Sequence, residues 1–481
     1  KNHSFKIVDE LKETVRLGEG MTESSKMKEE RIEKALQTLR MFTNLCEATG
    51  THDIIAVATA AVREADNQKY FLDRVQNEIG LEVSVLSGSR EGFYDYWGVV
   101  NSIKVDQGLI MDIGGGSVEL MWMENRKIKE NVSLPFGALS LTQRFDLYNK
   151  ITANQEQNLK NYLIKFFKNI SWLEDIDINR LIGVGGTIRN IAKIDQRQKD
   201  YPLDILHYYQ MTGKEVVDVF DLVKNKNLQQ RKNISGLSKK RADIFIGASA
   251  IVSVLMEILN IEDMLISGKG IREGLIYHHL YDEKEPVADV LDFSIQNTIQ
   301  NFNLNLNHAE HVYQLTSSLY KQLEELFSFE EKNFNGNISK IIKTASLLHD
   351  SGHDINYYDH HEHTFYIMLN SGINGLTHRE LLISAYIAAS HRHTKYSLRK
   401  YNLNRKTFRQ VISKDGIDKE VIRKIGILLE IAESLDRNMN GIVKEINCEI
   451  TDGSVEIQTF SKEDVELEIN DALETSSGFK K

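Results

Sequence analysis

The sequence predicts two architectures in series: an α/β region of alternating helices and strands, then an all-helical region that closes in a small β-containing module. Three observations carry this. Short buried strands alternate with helical periods as far as the acidic segment Asp282-Glu283-Lys284-Glu285-Pro286. Three glycine-rich turns each follow such a strand. Beyond Pro286 glycine turns become rare, histidines cluster and long helical periods dominate.

Taken in order, Ile32, Ala35, Leu36, Leu39 and Phe42 recur at helical spacing, and Asp53 to Ala58 reads as a short buried strand. A helix is expected over Asn67 to Ile79, a strand over Leu81 to Leu86, and a helix over Glu91 to Val100 opened by Ser87-Gly88-Ser89. Gly108 to Ile113, the turn Gly114-Gly115-Gly116-Ser117 and Val118 to Met123 form a hairpin. A second turn, Gly183-Val184-Gly185-Gly186-Thr187, leads from the strand Arg180 to Ile182 into a helix over Ile188 to Ile194. The third, Ser267-Gly268-Lys269-Gly270, follows the helix Asp243 to Leu259 and the strand Met264 to Ile266, and its glycine spacing is wrong for a dinucleotide fingerprint. Later, Ile338, Ile341, Ala345 and Leu348 mark a helix, and strand alternation returns from Ile442 through Cys448 to Phe460. The expected domains are 1–118, 119–283, 284–441 and 442–481.

A chain of 481 residues exceeds what one core supports, which agrees with several domains. Net charge of -10 argues against a general nucleic-acid binder. A polyanionic substrate would need a local basic strip, and two exist: Lys224 to Arg241, and Arg392 to Arg409; a solvated charged face is the plainer reading of each. Cys46 and Cys448 cannot form a disulfide framework, so a reducing, cytoplasmic home is expected. The apolar stretch Gly247 to Ile261 is too short to span a bilayer and reads as a buried helix.

Glycines in a tight turn expose backbone N–H groups, and such a nest can hold phosphate oxygens. Asp112-Ile113-Gly114-Gly115-Gly116-Ser117 alone is equally a plain hairpin turn. The second nest at Gly183 to Thr187 points to a substrate clamped between two lobes.

The strings Ala58-Thr59-Ala60-Ala61-Val62-Arg63-Glu64-Ala65, Ser87-Gly88-Ser89-Arg90-Glu91, Asp112 to Leu120, Gly183 to Thr187, Arg241-Ala242-Asp243-Ile244 and Gly270-Ile271-Arg272-Glu273-Gly274 stand in the order and approximate spacing of the exopolyphosphatase/guanosine pentaphosphate phosphatase family, which the chain resembles over essentially its whole length. The resemblance implies two actin-like, sugar-kinase-like domains with the active site in the interlobe cleft, then a helical HD-like domain. It implies Mg²⁺, or Mg²⁺ with K⁺, and hydrolysis of terminal phosphate from inorganic polyphosphate, with guanosine pentaphosphate as the close alternative. It further implies a homodimer with neither nucleic-acid nor membrane partners. Carried over by position, Glu91 matches the general base, Glu119 a second catalytic acid, and Asp112 the loop aspartate near the metal. Gly114, Gly115, Gly116 and Ser117 match one phosphate nest, Gly185, Gly186 and Thr187 the other, and Arg63 an arginine near the phosphates. Read without the resemblance, Glu91 is an acidic residue favoured by a helix start, Arg63 a surface ion-pair partner, and Glu119 points to either face of its strand.

Family members begin with a strand and a loop Asp-Ile-Gly-Ser-Asn-Ser, and nothing like it stands in Lys1 to Gly20, so the chain reads as a fragment or as having a disrupted start. A silent phosphate-binding protein is therefore a third class of function. A second class rests on the histidines. Through Leu347-Leu348-His349-Asp350 and Ala432-Glu433-Ser434-Leu435-Asp436 the helical region resembles HD-type phosphohydrolases, which implies His311, His349, Asp350 and Asp436 as ligands of a divalent transition metal, with His360, His361 and His391 available for a second position.

Overall fold

A computed structural model describes residues 4–281, 285–327, 334–391, 410–412, 416–451 and 453–475, with the backbone alone for 22 and 23. The chain divides into two compact units: Ile7–Ala288, and Lys1–Lys6 with Asp289–Lys481.

The first unit is built on two sheets. Strands β1 (Ala56–Ala58) and β2 (Val83–Val85) pair in parallel. Strands β3 (Gly108–Ile113), β4 (Val118–Glu124), β5 (Lys127–Leu134), β6 (Arg180–Val184), β7 (Gln210–Thr212) and β8 (Asp263–Ile266) form a mixed sheet in the order β5-β4-β3-β6-β8-β7. β3 is antiparallel to β4 and parallel to β6, so it sits centrally, and its near-continuous run of buried residues is what a strand covered on both faces requires. The sheet runs unbroken through the β3–β4 hairpin, across residues 118 and 119. Leu109, Met111, Leu120, Leu181 and Met264 from the sheet share a core with the helix Phe245–Ile258, which is buried all round from Phe245 to Met256. A second core joins Ile32 and Leu36 to Phe71 and Val75, from the helices Glu29–Ala48 and Gln68–Ile79.

Two element boundaries differ from expectation and matter for the site. The helix expected from Glu91 begins at Gly88 and runs to Val100, because the Ser87 hydroxyl accepts from the Arg90 N–H at 3.2 Å and caps it. The helix expected from Ile188 begins at Gly185, so the second glycine turn is itself a helix N-terminus, spanning Gly185–Gln198.

The second unit is largely helical: Val290–Asn301, Leu306–Leu323, Ile338–Leu348, His360–Asn370, His378–Ala389 and Ile417–Ser434 are its longer described helices. It ends in an antiparallel hairpin, β9 (Glu445–Thr451) with β10 (Ser454–Phe460), and a helix Glu466–Glu474. Among the described residues both cysteines are free thiols, and no helix is long and apolar enough to cross a membrane.

Candidate functional site

Between β3 and β4 the chain turns through Gly114–Ser117, and the geometry of that turn is fixed from outside. The N–H groups of Ala138, Leu139 and Ser140, opening the helix Ala138–Phe145, donate to the carbonyls of Gly114 and Gly115 at 2.9–3.2 Å. Gly114 N–H closes the turn on the Ser117 carbonyl at 3.0 Å. With the carbonyls held from behind, no protein acceptor engages the N–H groups of Gly115, Gly116 and Ser117 among the described residues. That leaves them as donors for an anion.

Four carboxylates converge beside this turn. Asp112 and Glu119 are direct cross-strand partners in the β3–β4 register, which answers the question of Glu119's direction: its side chain is fully buried on the same face as Asp112. Glu91 comes from the first turn of the helix Gly88–Val100 and Asp95 from the next turn of the same face. Glu119 accepts a hydrogen bond from the Ser133 hydroxyl at 2.9 Å, while its other oxygen has no hydrogen-bond partner among the described residues. Asp95 is 1% exposed and its oxygens make no well-formed hydrogen bond, with only a weak main-chain contribution from Ile271.

Burial, the largest cause, raises the pKa of all four, and mutual repulsion adds to it for Glu91, Asp95 and Glu119. Glu119 is pushed up to about 8 by burial, then by the charges of Glu91 and Asp112 against the Ser117 and Ser133 hydroxyls. Asp112 is opposed by the Ile113 N–H, on which it closes at 2.9 Å, and by Arg189 and Arg241. Buried, mutually repelling carboxylates with unmet oxygens suit a hard divalent cation by their chemistry, although no three of these four bring ligand atoms within 4.8 Å of one another.

Arg63 does not line the cavity as an arginine near phosphates would. Its guanidinium donates to Glu91 Oε2 at 3.0 Å and to the Leu86 carbonyl at 2.9 Å, so it holds the carboxylate in place. The second glycine turn divides its labour: Gly186 faces the cavity, Gly185 packs against Asp112, and the Thr187 hydroxyl accepts from Arg241 at 2.9 Å. Asp95 carries no motif of its own, and its one signal in the sequence is its place four residues after Glu91 on one helix.

Glu91, Gly114–Ser117 and Gly186 share one cavity of about 1110 Å³ with the basic side chains Lys12, Arg16, Arg189, Lys193, Lys240 and Arg241. Of the expected basic strip Lys224 to Arg241, only its end therefore reaches the cavity. Arg231 is fully buried and donates to the carbonyls of Leu147, Tyr148, Asn149, Lys226 and Ala242, and Lys224 is paired with Glu156 and Asp221. The strip Arg392 to Arg409 lies outside the described residues.

In the helical unit, potential metal-ligating atoms of His308, His349, Asp350 and Glu433 lie within 4.8 Å of one another, and Asp350, His353 and His360 form a second such group. His349 and Asp350 belong to the first group, whereas His311 and Asp436 belong to neither, and His308 and Glu433 lie one helical turn before them. His311 Nε2 lies 2.8 Å from the Val443 carbonyl and its Nδ1 3.1 Å from Asp436 Oδ1. Asp436 meets His308 Nδ1 at 2.7 Å, behind the cluster. His360 and His391 join the cluster through a 2.8 Å contact between their Nε2 atoms, whereas the buried His361 belongs to neither group.

Residues 1–283 match the model of the Ppx/GppA phosphatase family, and residues 290–473 that of Ppx/GppA phosphatase domain III. A bifunctional 3-dehydroquinate synthase/phosphatase of Fusobacterium nucleatum is 30% identical over 264 residues, covering 53% of this chain and 39% of that protein. The matched part of the chain thus spans well under half of that relative. Among solved structures, an exopolyphosphatase from Cytophaga hutchinsonii is similar with a TM-score of 0.53 at 24% identity, over 56% of this chain and 88% of that one. The Aquifex aeolicus Ppx/GppA family member is 28% identical over 56% of this chain and 88% of its own, with a TM-score of 0.49. The fold class is the actin-like one expected from the sequence, followed by a largely helical region with a small β-hairpin.

Proposed function

The chain belongs to the Ppx/GppA phosphatase family, and from that premise we propose that it is a Mg²⁺-dependent exopolyphosphatase, hydrolysing the terminal phosphate from inorganic polyphosphate. One observation carries the choice of substrate. The cavity beside the carboxylates is lined by six basic side chains, and among its described lining residues none is aromatic. A polyanion finds charge partners along its length there, while the purine of guanosine pentaphosphate finds no stacking wall.

In this reading the N–H groups of Gly115, Gly116 and Ser117 hold oxygens of the terminal phosphate, and Arg241, fixed by Thr187, meets the next phosphates. Glu91, oriented by Arg63, accepts the proton of the attacking water. Its raised pKa makes it a stronger base than an ordinary carboxylate. Asp95, Asp112 and Glu119 are the residues that would hold Mg²⁺, whose charge would offset that of the leaving phosphate oxygens.

Phosphate release from long-chain polyphosphate and from guanosine pentaphosphate, measured side by side, tests the substrate. A higher kcat/KM for polyphosphate is expected, and preference for the nucleotide overturns the assignment. Glu91→Gln should lower kcat by about 10²–10⁴-fold, the usual contribution of a positioned general base.

A further inference from the structure

In the helical unit the closing hairpin leaves one strand edge open. β10 pairs with β9, and no further strand lies beyond it. Which of its main-chain groups face outward follows from β9. There the Cys448 N–H donates to Gln322 Oε1 at 2.8 Å and the Ile446 carbonyl accepts from Gln322 Nε2 at 3.0 Å, so residues 446 and 448 turn their main-chain groups away from β10. In an antiparallel ladder the residue opposite an outward-turned one is itself turned outward. Cys448 opposes Ile457, Ile446 opposes Thr459 and Ile450 opposes Val455. Val455, Ile457 and Thr459 therefore present N–H and C=O groups to the open side, and no hydrogen-bond partner engages those groups there among the described residues.

The other described strand edges are blunted. β1, β2 and β7 are three residues long. β5 carries Lys127 and Lys129, and its register against β4 shifts between Trp122 and Met123. The outer edge of β9 is closed by Gln322. Short length, lysines and bulges are the devices that keep an edge from pairing with another chain. β10 has none of them: it runs seven residues in unbroken register without lysine or proline.

Charge chooses the occupant. The exposed face of the hairpin carries Glu445 and Glu449 from β9 and Glu456 from β10, with Glu449 and Glu456 directly opposed. None of the three forms an ion pair among the described residues, and Glu456 accepts only from the Gln458 amide at 3.3 Å. Like charges opposed across strands are unfavourable. A second copy adding its β10 to this one would bring three more carboxylates to the same face, which makes it a poor fit. The other face, with Val455, Ile457 and Thr459, is half-buried and mostly apolar. A strand that continues both faces alternates basic with apolar residues.

We propose that β10 is a docking edge for an extended segment of a partner protein in which Lys or Arg alternates with apolar residues. Main-chain hydrogen bonds to Val455, Ile457 and Thr459 hold the segment, its cations offset Glu449 and Glu456, and its apolar side chains extend the face of Val455 and Ile457. The proposal does not depend on the substrate assigned to the cavity of the first unit.

The test uses the whole chain and labelled synthetic peptides, with binding read by fluorescence anisotropy. A peptide alternating lysine with valine is expected to bind about tenfold or more tightly than one alternating glutamate with valine, and the order should reverse in the double variant Glu449→Lys with Glu456→Lys, which changes exposed side chains only. Methylation of the peptide nitrogens that face β10 should weaken binding by about tenfold or more, because main-chain hydrogen bonds are lost. Thr459→Pro should do the same from the protein's side, and should that variant not fold, the methylated peptide carries the test. Amide hydrogen exchange across 454–460 should slow when the peptide is bound. Equal affinity for a peptide with its lysines and valines in separate blocks, undiminished binding after methylation, or an unreversed preference in the double variant overturns the proposal. Absence of binding overturns it too, and if the chain then dimerises until Thr459→Pro is introduced, the edge belongs to a second copy instead.

Discussion

Asp112 Oδ1 lies so close to the Cα of Gly185 that a Cβ built there would stand 1.8 Å from it. Gly185 also sits at φ 80°, where an L side chain is strained. The loop aspartate and the first residue of the helix Gly185–Gln198 therefore specify each other. Gly185→Ala is expected to cost about 1–2 kcal/mol in backbone strain and to displace Asp112, lowering kcat along with stability. Urea melts and steady-state kinetics on the same preparation check this, and a destabilised enzyme of undiminished kcat would show that Asp112 has no part in turnover.

Arg63 opposes the burial that raises the Glu91 pKa, as Asp112 and Glu64 do not. Removing that cation in Arg63→Met makes protonation of Glu91 easier still. If the ionised carboxylate is the working form, the acid limb of the pH profile of kcat/KM must move to higher pH. A limb that stays in place would mean that Glu91 does not govern it.

Glu119 titrates near 8 in the folded chain and near 4.3 when unfolded, so between those values the folded state binds the extra proton. Stability then falls as pH rises through that window, because the unfolded state binds fewer protons there. With chelator present, the unfolding midpoint in urea should drop from pH 5 to pH 8. Glu119→Gln should flatten part of the slope, and added Mg²⁺ should offset the drop. A midpoint that climbs across the window contradicts the carboxylate cluster as drawn.

Arg231 satisfies five carbonyls from three stretches of chain and is fully buried. Arg231→Met leaves those acceptors to find other donors, and a loss of about 3 kcal/mol or more is expected. Equilibrium unfolding measures it; a change of under about 0.5 kcal/mol, the scale of surface substitutions, would return Arg231 to the solvated face that its basic neighbours suggested.

Local chemistry sufficed for the glycine turns, the β3–β4 hairpin, the alternation of helix and strand and the change to helices beyond Pro286, because each depends on residues adjacent in the chain. Glu91, Asp112 and Glu119 stand out only through the family resemblance, since their residue types alone leave a helix-start acid, a turn residue and a strand residue of either face as the plainer readings. Periodicity does not say which residue of a helical face meets a distant element. His308 and His311 are three apart and share a face, as do Glu433 and Asp436, and only packing turned the earlier member of each pair into the cluster. The same holds for Asp95, which became part of the site when its helix met the sheet, and for Arg231, which the fold withdrew from solvent. Motif and propensity act over a few residues, whereas the choice among helical neighbours is made by contacts between separate segments, such as His349 with Glu433, 84 residues on.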